Sequence, residues 1–356
     1  MYRRYKRLFI FISASSIFLL LAMLYLIYTF LFVPLKFKSQ INYAAINFCE
    51  KSNANDYILI KKRSTKIKIV EMVRENTNLN FAQDILARRY IGVFLWDLLF
   101  FNSHPKYGIY SVNNSTTLYD LFNSIASGRT AKVKITILPG VTLFDIMKSM
   151  NTSGIFNTTI TFETIRNKMP ELKNIYDLEG RLFVDTYCVE YQSDPNNLIV
   201  KSYEIFDLTL KKILASHKLP NQIKSVNDLL TLSSIVEKET SVEFERPLVA
   251  AVYLNRLKKF MKLQADPTVI YGLGDAYNGN ITKQHLKTYT PYNTYVIRGL
   301  PPNPISTIQT SSIIAVLNPA KVDYLFFVAK STEGKSHNFS TTYEQHKKYV
   351  IQYLKN

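Results

Sequence analysis

The sequence predicts an α+β protein: an N-terminal transmembrane helix, then a small α/β module, then a mixed, mainly helical domain with short strands. Three observations lead there. An uncharged run extends from Leu8 to Leu35. A strand–helix pattern occurs twice between Tyr107 and Met150. From Asn157 onward the apolar residues fall mainly at helical spacing, with a few short stretches of strand character.

The uncharged run is longer than the roughly 20 apolar residues that a membrane-spanning helix needs. Arg3, Arg4, Lys6 and Arg7 precede it, so residues 1–7 are expected to stay cytoplasmic and everything after the span to lie outside. The run exceeds the roughly 7–15 residues of a signal-peptide core, and no A-x-A site follows it. An uncleaved anchor over residues 8–33 is therefore expected, ended by Pro34. Tyr90–Phe101 is apolar but short and is interrupted by Asp97, which reads as a buried core helix.

A hydrophobic share of 47% in 356 residues excludes wholesale disorder. The net charge of +17 is large, but the lysines are spread along the chain. Lys, Asn, Ile, Tyr and Phe are all abundant, as in an AT-rich coding sequence, so no nucleic-acid partner is expected. Cys49 and Cys188 are expected to be free or incidental, with one bridge open to them in an oxidising compartment. The five histidines are far apart and show no H-E-x-x-H spacing, so no metal or other cofactor is expected. A G-x-S-x-G elbow, a P-loop and a dinucleotide-binding glycine pattern are absent too.

Residues 34–150 are expected to form the membrane-proximal region. Its first part, Lys36–Phe101, is read as a strand–helix unit with Lys66–Val70 as the strand. The repeat follows. Thr117-Leu118-Tyr119-Asp120 recurs as Thr142-Leu143-Phe144-Asp145. Each Thr can cap a helix whose Asp reaches the free amides of the first turn. Tyr107–Val112 and Lys132–Leu138 are the preceding strands, and Pro139-Gly140 marks a turn. In residues 151–356 helices are expected over Leu198–Ala215, over Asp228–Glu239 with Asn227 as cap, and from Pro247 to about Lys262. Tyr292–Ile297 and Tyr324–Ala329 read as short strands, and Leu300–Ile305 as a stiff proline loop.

The chemistry is expected where carboxylates sit among aromatic and amide side chains. Glu237 and Glu239 are two residues apart, hence about 200° apart around a helix, and cannot share one cleft. Leu229, Leu232, Ile235 and Val236 define an apolar arc that contains Glu239, whereas Glu237 lies about 80° beyond its edge. A carboxylate against apolar surface has a raised pKa, as a general acid near neutrality requires. The wheel therefore selects Glu239, although from spacing alone a solvated Glu-Lys-Glu helix end stays open. Asp266 precedes a proline and is either a turn residue, a second carboxylate or a holder of a sugar hydroxyl. Gln264, Tyr271, Tyr292, Asn293 and Tyr295 could bind and stack a saccharide. Core tyrosines and turn amides are the competing reading in a chain with 24 tyrosines.

The blocks Ser234–Thr240, Glu245-Arg246, Asn255-Arg256-Leu257, Leu263-Gln264 and Asp266–Gly272 occur in this order. They continue as Tyr277-Asn278-Gly279, Tyr292–Tyr295, Gly299–Pro302, Asn318-Pro319-Ala320 and His337-Asn338-Phe339. Glu179-Gly180 and Asp185-Thr186-Tyr187 stand upstream. This series resembles the MltG (YceG-like) family of endolytic peptidoglycan transglycosylases. The resemblance implies that the α/β module is LysM-like and that residues 151–356 are the catalytic domain. It implies that Glu239, followed by Thr240, is the catalytic acid. Val184 stands before Asp185 where relatives carry proline, and only Phe183 and Tyr187 are aromatic there, which implies a less rigid loop and a smaller sugar-stacking surface.

The activity so implied is lytic cleavage of the MurNAc-β-1,4-GlcNAc bond, leaving 1,6-anhydro-MurNAc ends on nascent strands. The implied setting is the cell inner membrane, with the catalytic domain periplasmic or otherwise extracytoplasmic. The implied partners are glycan strands and peptidoglycan synthases. Two alternatives stay open: a hydrolytic muramidase using Glu239 with Asp266, and a non-catalytic, membrane-anchored glycan-binding scaffold.

Overall fold

The structure is a computed structural model that describes residues 2–37, 48–49, 56–100, 103–113, 115–331 and 336–355. The chain divides into two compact units, residues 1–135 with 188–193 and residues 136–187 with 194–356.

The first unit begins with helix α1 (Tyr2–Phe32). Its segment Ser15–Phe32, with a mean hydropathy of 2.2, is long and apolar enough to cross a membrane. The helix stops two residues before Pro34. Strand β1 (Lys36–Phe37) follows, and then β2 (Asp56–Ile60). Next come α2 (Lys66–Asn76), β3 (Thr77–Asn78), α3 (Phe81–Leu86) and α4 (Arg89–Leu99). Strand β4 (Gly108–Val112), α5 (Leu118–Ser127) and β5 (Lys132–Thr136) complete the run. β1 pairs antiparallel with β3, and β2 with β4, in a register that sets Asp56 opposite Val112 and Ile60 opposite Gly108. Trp96, Phe122, Tyr110, Ile60 and Val70 fill the core, and Phe30 of α1 belongs to it.

Lys66–Val70 is helical rather than a strand. Thr65 accepts the Lys68 N–H as N-cap, and Ile69, Val70 and Val73 are the buried positions, at helical spacing. The alternation over five residues was too short to separate the two periods; Val73 and the cap decide it. The strand of this region is β2 instead. The repeated caps are present as expected: Thr117 with Asp120, and Thr142 with Asp145, each form a reciprocal capping box. Their strands have different partners, since β5 pairs with β6 (Thr186–Glu190) and β4 with β2. The cysteines are not free. Cys49 and Cys188 form a disulfide across 139 residues of sequence. No local pattern announces that pairing, because it depends on where β6 returns.

In the second unit, α6 (Leu143–Thr152) and α7 (Phe162–Arg166) precede the long α8 (Pro195–Ser216). The core helix α9 (Val226–Glu239) is followed by α10 (Arg246–Lys258), α11 (Asp266–Leu273), α12 (Lys283–Lys287) and α13 (Thr310–Leu317). Strands β7 (Phe326–Ala329) and β8 (His337–Ser340) form an antiparallel hairpin before α14 (Tyr343–Lys355). Every residue of α9 from Leu229 to Val236 is buried. α10, α11 and α13 pack around it. The cap of α9 is Ser225, which accepts the Asp228 N–H at 3.0 Å, whereas Asn227 donates to the Pro302 carbonyl at 2.7 Å. Pro247 sits in the first turn of α10 as expected. Tyr292–Ile297 is a turn, not a strand: the Asn293 carboxamide oxygen accepts the Tyr295 N–H, and its backbone carbonyl accepts from Val296 and Ile297. Asparagine competing for backbone donors in this way overrides the β-propensity of its aromatic neighbours.

A cross-link that closes so long a loop restricts the unfolded chain. The paired Cys49→Ala and Cys188→Ala variant is expected to lose about 2–4 kcal/mol of stability. Urea unfolding of both proteins under non-reducing conditions checks this; coincident curves overturn it.

Candidate active site

Helix α9 delivers Glu239 on its last turn. Thr240 turns extended there, and its N–H still bonds back to the Val236 carbonyl, so the carboxyl emerges just where the buried stripe ends. Glu239 is half-buried and borders a cavity of about 290 Å³. Tyr253, Arg256, Leu263, Gln264, Asp266, Tyr295, Phe327 and His346 complete its lining.

The Tyr253 hydroxyl donates to Glu239 Oε1 at 2.7 Å. Burial pushes the Glu239 carboxyl up to about 7; the Tyr253 hydrogen bond opposes the rise, Asp266 adds to it, and Arg256 opposes it. Tyr253 is itself buried on α10, and its ring meets Phe327 edge-on at 5.9 Å. One turn further along α10, Arg256 donates to the Leu325 carbonyl and to the Leu263 carbonyl, both at 2.7 Å. Arg256 thereby ties the segment before α11 to the segment before β7.

Gln264 lies at the cavity edge with φ of 51°, a left-handed conformation that costs a non-glycine residue energy and recurs at functional sites. Asp266 opens α11, and the Tyr295 hydroxyl donates to its Oδ1 at 2.6 Å. Burial pushes the Tyr295 hydroxyl upward in pKa.

The structure brings Glu239, Gln264, Asp266 and Tyr295 together. Tyr271, Tyr292 and Asn293 do not line that cavity. Asn293 is 1% exposed, and its amide donates to the His285 and Thr288 carbonyls. It shapes the turn that presents Tyr295. Tyr271 packs on Tyr292 with ring centroids 4.7 Å apart and donates its hydroxyl to Glu179 at 3.0 Å. Tyr187 is buried and donates to the Phe183 carbonyl, so this aromatic belongs to the core.

Two other acids have structural partners. Glu237 accepts from Arg246, from the Gln309 N–H and from the Ser312 hydroxyl, at 3.2, 3.0 and 2.7 Å. Its side chain and that of Arg246 are 4% and 6% exposed, so the expectation of a place outside the apolar arc concealed a buried ion pair. Glu179 is also buried, and burial pushes its carboxyl up to about 7. Both of its oxygens accept the Leu143 N–H at the start of α6. Among the described residues a raised pKa therefore marks two carboxyls, and of these Glu239 faces the cavity described above. Sequence reasoning missed Tyr253, Arg256, Phe327 and His346 as cavity walls. Only Arg256 carried a signal, as part of the Asn255-Arg256-Leu257 block. Among the described residues, no group of three or more His, Cys, Asp or Glu side chains is placed to hold a metal ion.

Residues 59–352 match the YceG-like family. The chain is 32% identical over 272 residues to an endolytic murein transglycosylase of Bacillus subtilis, covering 69% of this chain and 72% of that protein. It is 28% identical over 282 residues to an endolytic murein transglycosylase of Streptococcus pneumoniae strain D39, covering 70% of this chain and 51% of that one. The chain thus spans about half the length of the pneumococcal relative. The 2.6 Å crystal structure of a yceG-like protein from Listeria monocytogenes superposes with a TM-score of 0.54 at 28% identity, over 83% of this chain and 99% of that chain.

Tyr253→Phe removes a hydrogen bond that favours the ionised form of Glu239. Its carboxyl pKa is expected to rise above about 7, as a carboxyl-detected NMR titration of both proteins would show; an unchanged or lower value contradicts the role given to the hydroxyl. Arg246→Met leaves Glu237 buried without its cation and is expected to cost about 3–5 kcal/mol in chemical denaturation.

Proposed function

The chain belongs to the YceG-like family, and on that premise we propose that it is a membrane-anchored endolytic murein transglycosylase with Glu239 as its single acid–base group. It cleaves the MurNAc-β-1,4-GlcNAc bond of nascent strands and leaves 1,6-anhydro ends, which terminates strand elongation. The observation that carries this reading is a carboxyl held near neutrality beside a polar cavity.

Glu239 begins protonated. With Tyr253 donating to Oε1, the transferable proton sits on Oε2. It passes to the bridging oxygen as the bond from C1 of MurNAc to that oxygen breaks. The sugar ring becomes oxocarbenium-like. The carboxylate then takes the proton of the MurNAc C6 hydroxyl, whose oxygen closes on C1. Glu239 is thereby returned to its starting state, and one carboxyl performs both transfers. Water is not a reactant, so the paired carboxylates of most glycosidases are unnecessary. Gln264, Asp266 and Tyr295 position the strand at the cavity rim. Tyr271, Tyr292 and Asn293 support that rim from behind.

Residues 151–356 form the catalytic domain in this reading, and the region 34–150 supplies the LysM-like module. Residues 8–33 anchor the protein in the inner membrane with the tail 1–7 in the cytoplasm, within reach of the synthases that extrude new strands. The basic residues before the span and its length support this topology. Asp266, which lines the same cavity, favours a second reading: a hydrolytic muramidase in which Asp266 activates water.

Mass spectrometry of purified glycan digests separates the readings. The lytic reading expects anhydro ends that vanish with Glu239→Gln while the fold persists. Reducing ends would instead establish the hydrolase. Full activity of Glu239→Gln, or sacculi bound without any change of chain length by the unaltered protein, removes the assignment altogether. The acid step needs the protonated carboxyl, so kcat/KM is expected to fall as pH rises through about 7.

A further inference from the structure

The first unit carries an apolar face that its own core leaves uncovered. Val93, Leu95 and Trp96 of α4 turn inward. On the other side Phe94 is 64% and Leu98 60% exposed, with Ile91 at 38% beside them. Ile91, Phe94 and Leu98 recur at i, i+3 and i+7, so they form one stripe along the helix. Phe81, at the start of α3, is 81% exposed. The acidic residue of α4, Asp97, is paired with Lys66 of α2. A face of this kind needs a partner.

The neighbouring elements say which partner. The last turn of α1 is built into the same core: Phe30 is 4% exposed, and its ring lies 6.3 Å from that of Phe122. Phe122 in turn lies 5.2 Å from Trp96 of α4. The Gln83 amide of α3 donates to the Val33 and Pro34 carbonyls, where the chain leaves α1. α3 and α4 are therefore fastened at the exit of the apolar span Ser15–Phe32, two ring contacts from its final turn.

We infer that the stripe Ile91–Phe94–Leu98, extended by Phe81, lies in the bilayer that α1 crosses, at the boundary between headgroups and acyl chains. α4 is thus a second, interfacial membrane contact. The inference rests on the reading of α1 as a membrane anchor. An interfacial helix sinks its apolar face about 5–10 Å below the headgroups, which is deep enough to take up side chains of this size. A single span alone lets what it carries swivel; a second contact fixes the tilt of the first unit against the membrane.

The chain has one tryptophan, Trp96, and it is fully buried, so it provides a built-in baseline. Full-length protein carrying Phe94→Trp is reconstituted into phosphatidylglycerol–phosphatidylethanolamine vesicles with and without acyl-chain bromination. The added tryptophan is expected to lose about half or more of its emission to the brominated lipid, as a ring seated at the acyl boundary should. Leu98→Trp is expected to behave likewise, and the emission of Trp96 alone to change little. Protein that floats with the vesicles but shows no extra quenching at either position overturns the inference. Unquenched yet blue-shifted emission overturns it too, in favour of a protein partner on this face. Failure to float at all removes the anchor reading, and this inference with it.

Discussion

A carboxyl can keep its proton near neutral pH here because α9 is buried up to the turn that bears it. Leu229 to Val236 displace water from every side of the helix, and the stripe ends in Glu239 beside Tyr253 and Phe327. Burial disfavours the charged form, since the protein surroundings solvate it less well than water does. The Tyr253 hydroxyl returns part of that solvation through one hydrogen bond. The resulting balance puts the group between a permanent carboxylate and a permanent acid. The role proposed for Glu239, to give a proton and take one back, calls for that middle position.

The walls of the cavity are held by buried polar pairs. Glu237 with Arg246 and Ser312 joins α9, α10 and α13. Glu245 accepts both the backbone N–H and the Nδ1 of His337, which fastens the start of α10 to β8. Arg256 bridges two loop carbonyls. Replacing such pairs with apolar residues often costs little, so their net contribution to stability is small. Their effect is geometric: each fixes which atoms of the neighbouring segments meet. They set the register between helices that lack a continuous sheet to align them. Even Lys238, between the two glutamates, has an assigned place, donating to the Gly140 carbonyl at 2.9 Å. Three consecutive charged residues thus perform three different tasks, because each leaves the helix in a different direction.

The first unit is organised by local rules and by one cross-link. A capping box at Thr117 starts α5, whose apolar face joins the core of this unit. The Cys49–Cys188 bridge then ties the strand region near β6 to the segment after the anchor. It stands beside backbone pairing, since Phe48 bridges Val133 and β5 pairs with β6, and a disulfide suits an oxidising compartment beyond the cytoplasm.

Local and periodic features were legible in the amino-acid order. The apolar span, the Thr–Asp caps, the proline at the start of α10, and the placement of Glu239 on the apolar arc all depend on residues within one or two turns of each other. Where the pattern is short, as in Lys66–Val70, or where a polar side chain redirects the backbone, as at Asn293, local order points to the wrong element. The order also could not show that Glu237 meets Arg246 or that Cys49 meets Cys188. Nor could it separate Tyr295, which faces the cavity, from Tyr271 and Tyr292, which do not. Those outcomes belong to the tertiary structure alone, because the cavity closes only when Phe327 and His346 return from far along the chain to the end of α9. The surroundings that set a carboxyl's proton affinity come from segments brought together by folding, and linear spacing holds no record of them.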